Sequence, residues 1–351
     1  MEKKIPVAVL AATGSVGQRF VQLLDRHPWF EVVTLTGSDR SIGRTYGESC
    51  HWILNEPMPE WAKQMTVMPT APESTTARLA FSALPTDIAK QVEPLFALAG
   101  LMVCSNASAY RKEADVPILL PEVNADHTRI LEAQRRKRGW SGGIVTNPNC
   151  TSTGMTVALK ALLDGFGLKR VFAVTLQAIS GAGYPGVASM DIIDNVIPNI
   201  EGEEAKVEWE PRKMLGSFDG ESIQLADFGI SAHTNRVAVS DGHIVCLSFE
   251  LGSKASLEEV SAVLSAFQPP QAARGLPSTP NPVIVVRTES DRPQPRLDRM
   301  TGGGMTTVVG RLRPDALFDY KMVVLSHNTV RGAAGGAIYN GELIVQQGLM
   351  A

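Results

Sequence analysis

Cys150 stands in Thr146-Asn-Pro-Asn-Cys-Thr-Ser-Thr-Gly154, directly before the apolar run 155–163. Asn147, Pro148 and Asn149 are turn and capping residues, so the spacing predicts a thiol at the start of a helix over 153–163. The dipole and free N–H groups at such an end favour a thiolate and lower its pKa. The same N–H groups suit the oxyanion of a tetrahedral intermediate. This is the chemistry of covalent acyl transfer. The plain alternative is a buried cysteine in a capping turn. Cys50, Cys104 and Cys246 lie in apolar or strand-like surroundings and read as core thiols. The four cysteines are far apart with no CxxC pair, which argues against a disulfide framework or zinc site and for a reducing compartment.

A sulfur that cycles through a thioester needs a proton carrier. Of the six histidines, His27 lies beside a proline at a helix end, and His51 adjoins Trp52. His127 and His233 fall in polar connecting segments. His243 follows Ser240-Asp241-Gly242, read as a turn between two strands, and Arg236 comes seven residues earlier. Such a hairpin brings a cation and an imidazole to one region, suiting a substrate with a carboxylate near its reacting carbonyl. An exposed, idle hairpin histidine is the competing reading.

The stretch 5–20 reads as strand, tight turn, helix. Gly14 and Gly17 let the backbone approach a pyrophosphate held on the N–H groups that open the helix. Ala11 occupies the place of the usual first glycine, and a tight turn without a ligand is the bland reading. At the end of the second strand, Ser38, Arg40 and Ser41 supply a charge and hydroxyl donors for a 2′-phosphate, which favours NADP. Asp39 instead suits an NAD ribose or plain solvent.

These groups need a scaffold. A chain of 351 residues, 44% hydrophobic and 20% charged, suggests two domains with substantial cores. The net charge of −3 supplies no field to gather nucleic acid or anionic membrane. The first apolar run is too short for a membrane span and leads into a glycine turn rather than a cleavage site. In the first half, strands over 6–10, 30–36, 79–83 and 101–105 alternate with helices over 17–24 and 88–98. That pattern implies a doubly wound parallel sheet. Beyond about Gly143, longer strands (171–178, 236–239, 243–251, 306–311) and few helices (153–163, 257–267) suggest a mixed, largely antiparallel sheet covered on one face. The proline-rich 269–282 reads as a surface connection, and 329–347 as a small-residue helix.

Four motifs stand together in order: the Cys150 setting, Gln177-Ala-Ile-Ser-Gly-Ala-Gly-Tyr-Pro-Gly186, Arg236-Val-Ala-Val-Ser-Asp-Gly-His243 and Asn328-Thr-Val-Arg-Gly-Ala-Ala-Gly-Gly336. With them the chain resembles the aspartate-semialdehyde dehydrogenase family, in its archaeal and fungal branch, from Val7 to about Leu343. The resemblance implies a Rossmann-like α/β domain (1–146 and 329–351) and an α+β catalytic and dimerisation domain (147–328). It implies NADPH-dependent reductive dephosphorylation of L-aspartyl-4-phosphate to L-aspartate 4-semialdehyde and phosphate, in the cytoplasm, by a homodimer or homotetramer, without metal. Cys150 matches the nucleophile, His243 the acid/base and Gln177 the residue that orients the acyl group. Arg236 matches the grip on the α-carboxylate, and Glu203 the contact to the amino group. Asn106, Arg111 and Lys206 match the phosphate site. Thr13, Gly14, Ser15, Val16 and Gly17, then Ser38, Arg40 and Ser41, and Ser82, Leu84, Pro85, Ser180, Gly181 and Asn328 match cofactor contacts.

Three departures accompany the resemblance. Ala11 replaces a glycine, Ala238 a common proline, and His233-Thr234 a sequence that often carries a cysteine near the site. The last two are expected to border the substrate pocket. A malonyl-CoA reductase would use the same covalent logic, but has no amino group for Glu203 to hold. An N-acetyl-glutamyl-phosphate reductase fits the motif settings poorly, and an inactive cofactor-binding protein would not need Cys150, Gln177, Arg236 and His243 together.

Overall fold

The apolar run after Lys4 forms β1 (Ile5–Leu10), whose last four residues are fully buried. The glycine turn opens α1 (Ser15–Leu23), and the chain returns through β2 (Phe30–Thr36). Further strand–helix units add β3 (Val67–Met68), β4 (Leu79–Ser82), α2 (Thr86–Leu98), β5 (Met102–Ser105), α3 (Ile130–Arg138) and β6 (Gly143–Thr146). All neighbours pair parallel, in the order β3-β2-β1-β4-β5-β6. Order reverses between β1 and β4, so their C-terminal ends flank the crevice where doubly wound sheets bind ligands. This computed structural model describes residues 4–350; Met1–Lys3 and Ala351, included in the expected first domain, lie outside them.

The second sheet contains β7 (Leu168–Gln177), β10 (Gly229–Arg236), β11 (His243–Leu251), β12 (Ile284–Val286), β13 (Thr307–Pro314) and β14 (Tyr320–Ser326), with a small ribbon of β8 (Ser217–Phe218) and β9 (Ile223–Gln224) beside it. Its order is β10-β7-β11-β14-β13-β12, antiparallel except for the β10/β7 and β12/β13 pairs. The expected mixed sheet is present, but the hairpin is not. β7 lies between β10 and β11, so the segment from Arg236 to His243 crosses over the end of β7 rather than turning between paired strands. The strand expected at 236–239 ends at Arg236.

Helices α4 (Cys150–Phe166), α5 (Glu203–Met214) and α6 (Leu257–Ser265) pack with this sheet. Alternate residues on β7 and β11 share one apolar cluster with α4, including Val171, Ala173, Val245, Leu247 and Phe249. The opposite residues, Phe172, Val174, Leu176, Ile244 and Cys246, are only partly buried. Cys246 is therefore on an open sheet face, not in the core as expected. Glu204 and Glu208 of α5 accept the N–H groups of Thr234 and Ala232 on the edge strand β10.

The chain then returns to the first domain. After a wide helical turn (Val330–Ala334), α7 (Gly335–Gln346) places Ala337, Ile338, Tyr339 and Leu343 in the cluster built by Val7, Val9, Leu79 and Phe81. Gly341 permits the approach: a Cβ there would lie 2.9 Å from Phe81. The stretch 269–282 is more than a surface connection. Ala273 and Leu276 enter the same cluster, Tyr339 donates its hydroxyl to the Ala273 carbonyl, and Ser278 donates to Glu342.

Candidate active site

Side-chain alternation places the reacting groups. Gln177, Arg236 and His243 fall on the helix-covered face of the second sheet, at neighbouring ends of β7, β10 and β11. Gln177 and Arg236 stand opposite each other in register. The N-terminus of α4 meets this edge, and Gly154 allows it to, because a Cβ there would sit 2.6 Å from Ser326. Cys150, which opens α4, therefore has its Sγ 3.2 Å from Nε2 of His243, across 93 residues of sequence.

The helix begins at Cys150 itself, three residues before the expected start. Asn149 is the N-cap, and its Oδ1 accepts the N–H groups of Thr151 and Ser152 at 2.9 and 3.2 Å. The cap thus consumes two of the N–H groups expected to hold an oxyanion. The sulfur is not the low-pKa thiolate expected either. Burial pushes the Cys150 thiol up to about 12, with Glu203 adding to the rise and Arg111 and Arg236 opposing it. His243 is pushed down to about 3, first by burial and then by Arg236 and His327. A helix dipole acts weakly where desolvation is severe and the end is already capped. Burial thus disfavours the charged form of each group, with His243 buried and Cys150 partly so.

Around the sulfur, Arg236 is buried and donates to the Ala178 carbonyl. Gln177 is 1% exposed and donates only a long bond to Thr175. Glu203, first residue of α5, accepts from Asn149 and from Lys206, whose ammonium is partly exposed. Arg111 is held at three points: Nε donates to the Asn147 carbonyl, and its terminal nitrogens to Glu210 and the Asn106 carbonyl. Asn106 accepts from Asn147, which in turn binds the Ala333 carbonyl. All the expected catalytic and substrate residues belong to this one connected region.

Sequence reasoning missed Glu210. Its fully buried carboxylate pairs with Arg111 and accepts the N–H of Asn149, so it holds the residue before the nucleophile. The signal was available, since Glu203, Lys206 and Glu210 follow at i, i+3 and i+7 and share one face of α5.

The cofactor residues divide between open and closed positions. Gly14 is the N-cap of α1, with no side-chain cap, so the helix end presents free N–H groups to an anion. Thr13, Gly14, Ser15 and Val16 line a cavity with His51, Ala83 and Tyr184. A Cβ on Gly17 would lie 2.3 Å from the Ala11 carbonyl oxygen, while Ala11 itself adopts a left-handed φ of 58° in place of the usual glycine. Ser38 and Arg40 are exposed after β2; Ser41 turns inward. Ser180 and Gly181 are accessible, and Ser180 shares a cleft with Ser15, Arg19 and Thr329. Asn328 is buried next to that cleft, accepting from Gly242 and donating to Ser180. These groups fit a dinucleotide laid across the sheet ends. Leu84 is buried and Pro85 exposed; Ser82 is fully buried and its hydroxyl accepts the Leu84 N–H.

Of the departures from the family pattern, His233 points its exposed ring toward Phe172 on the open sheet face, and Ala238 is exposed. Only Thr234, fully buried, lies on the site's side of its strand. Among the described residues no cluster of ligating side chains could hold a metal, and no helix is long and apolar enough to cross a membrane.

Comparison with known proteins agrees with this geometry. Residues 6–131 match the family model described as semialdehyde dehydrogenase, NAD binding domain, and residues 159–331 the model described as semialdehyde dehydrogenase, dimerisation domain. The chain is 50% identical over 341 residues to the aspartate-semialdehyde dehydrogenase of Archaeoglobus fulgidus, covering 97% of this chain and 98% of that one. It is similar to the crystal structure of the Candida albicans aspartate semialdehyde dehydrogenase with NADP, at a TM-score of 0.91 and 40% identity, covering 99% and 100% of the two chains. A Vibrio cholerae aspartate semialdehyde dehydrogenase II complexed with ASA matches at a TM-score of 0.78 and 25% identity, over 98% and 99%.

Proposed function

The chain belongs to the aspartate-semialdehyde dehydrogenase family, and we propose that Cys150 carries its reaction, with the surrounding residues in the roles below. Its activity is that of an aspartate-semialdehyde dehydrogenase: reductive dephosphorylation of L-aspartyl-4-phosphate to the 4-semialdehyde, with NADP as cofactor, in aspartate-family amino-acid biosynthesis.

Cys150 attacks the acyl carbon and forms the thioester. Arg236 grips the α-carboxylate as a charge-assisted pair, and Glu203 receives the amino group. Gln177 orients the acyl group, and Arg111, Lys206 and Asn106 hold the departing phosphate. NADPH, when bound, supplies the hydride that reduces the thioester. His243 serves the reacting oxygen and sulfur from Nε2. The α1 N-terminus with Thr13–Gly17 takes the pyrophosphate, Ser38, Arg40 and Ser41 the 2′-phosphate, and Ser180, Gly181 and Asn328 the nicotinamide end. The observation that carries this reading is the 3.2 Å contact between Sγ and the His243 imidazole, with Arg236 and Glu203 beside it.

The chain divides into residues 1–146 with 329–351, which bind the cofactor, and 147–328, which carry catalysis and dimerisation. Two or four copies assemble through the open sheet face of Phe172, Val174, Leu176, Ile244 and Cys246. The enzyme works in the cytoplasm on soluble substrates.

The test is oxidation of aspartate semialdehyde with NADP, with and without phosphate. Phosphate-dependent formation of NADPH is expected. Reaction only in the presence of coenzyme A would favour a malonyl-CoA reductase instead.

A further inference from the structure

Lys213 is a buried lysine that the chemistry does not use, yet it lies on the face of α5 that meets the site. Glu203, Lys206, Glu210 and Lys213 follow at i, i+3, i+7 and i+10 along that face. Lys213 is 3% exposed, and its Nζ donates to the carbonyls of Arg111 at 2.7 Å, Glu113 at 2.8 Å and Val116 at 2.8 Å. An ammonium has three N–H donors and no acceptor, whereas a neutral amine would turn a lone pair on one of these oxygens. Lys213 is therefore a cation with every donor spent, and has none left for a ligand.

The three carbonyls belong to one segment after β5 of the first sheet, while α5 packs with the second. The acidic side chains of that segment, Glu113 and Asp115, turn to Arg138 instead. Trp209 covers the ammonium, its ring centroid 5.5 Å from Nζ. The segment is thus pinned to α5 by its backbone and to Arg138 by its side chains.

Arg111 is held twice by neighbouring turns of α5. Glu210 takes its guanidinium at 3.0 Å, and Lys213, three residues on, takes its backbone carbonyl. The Asn147 and Asn106 carbonyls accept two further N–H groups. A guanidinium has five donors, so one on each terminal nitrogen remains for an anion. Lys206 stands on the same helix, whose rise of about 1.5 Å per residue fixes its distance from the Lys213 anchor. We propose that Lys213 is a positioning residue for the phosphate site, gathering the segment of Arg111 onto α5 so that Arg111 and Lys206 meet one phosphate. This rests on Arg111 and Lys206 as the phosphate ligands.

Steady-state kinetics of the full-length enzyme, oxidising aspartate semialdehyde with NADP and phosphate, tests it. Lys213→Met removes the three donors from a side chain of similar length. The KM for phosphate is expected to rise about ten- to a hundredfold, as for a binding group displaced by about 1 Å. The KM values for NADP and aspartate semialdehyde should stay near wild type. A variant that unfolds in urea like wild type and keeps its KM for phosphate would overturn the proposal. So would an equal rise in all three KM values, the mark of general damage. Hydrogen exchange on the wild-type enzyme with NADP gives a second answer that needs no variant. Added phosphate is expected to slow exchange in 106–116 and in 203–213 together, and slowing in only one of them would contradict the coupling. Arg111→Met separates the two readings: an unchanged KM for phosphate in that variant would remove the phosphate site itself, whatever Lys213→Met shows.

Discussion

Arg331 holds Glu122 in a bidentate pair, with contacts of 2.6, 2.6 and 3.0 Å and both side chains 1% exposed. The pair joins the turn that follows β14 to the short helix Pro121–Asn124, which packs against α4 and α7. Breaking a buried pair on one side leaves a stranded charge, which typically costs about 3–5 kcal/mol. Arg331→Met is expected to lower stability by that order, and adding Glu122→Gln should recover a large part of it. Urea unfolding of the three variants checks this; equal loss in single and double variants would show that packing, not charge, holds the turn.

Gly14 and Gly17 are expected to behave differently on substitution. At Gly17 a Cβ meets only backbone, with the Ala11 oxygen at 2.3 Å and Ala12 Cα at 2.6 Å. Gly17→Ala should therefore cost about 1–3 kcal/mol as the turn is forced apart, and weaken NADPH binding. At Gly14 the nearest atom is 3.6 Å away and φ is −75°, so Gly14→Ala should fold normally and lose affinity only. Unfolding curves and NADPH titrations of both variants decide.

Glu93 makes stability depend on acid. It is fully buried behind the ends of β4 and β5, and Ser105 donates to one of its carboxylate oxygens. Burial pushes this carboxyl up to about 7 from 4.5, with the Ser105 and Ser82 hydroxyls opposing the rise. The folded state then holds a proton that the unfolded chain has released. The contribution is full below about pH 4.5 and lost as pH rises through about 7. Glu93→Gln should flatten the fall in Tm between pH 5 and 7; an unchanged slope would place the titration elsewhere.

Much of the scaffold could be read from the residues, because parallel strands buried on both faces leave apolar runs, and the runs at 6–10, 30–36 and 79–83 alternate with amphipathic helices. The order in which strands pair is another matter. β7 separates β10 from β11 although it comes some 60 residues before them, and nothing local to Arg236 or His243 reports a strand inserted from so far away. The same distance hid the state of the site. Asn149 reads as a cap, but that its oxygen takes the N–H groups meant for an oxyanion depends on the rotamer. The surroundings of Cys150 depend on His243, Arg236 and Glu203 arriving from β11, β10 and α5, which no spacing around residue 150 encodes. Glu210 was legible in principle, by its place on the Glu203 face, and Ser82 shows the converse: a residue at the right strand end whose hydroxyl turns inward.

Catalysis by Cys150 requires a covalent bond between the acyl group and one sulfur, and a single-turnover experiment reads that bond directly. Enzyme mixed with aspartate semialdehyde and NADP, in the absence of phosphate, is expected to release a burst of one NADPH per protomer and stop, with the acyl adduct mapping to Cys150 by peptide mass analysis. Adding phosphate should then discharge the adduct and restart turnover. A burst with the adduct on another residue, or steady turnover with no adduct at all, would contradict it.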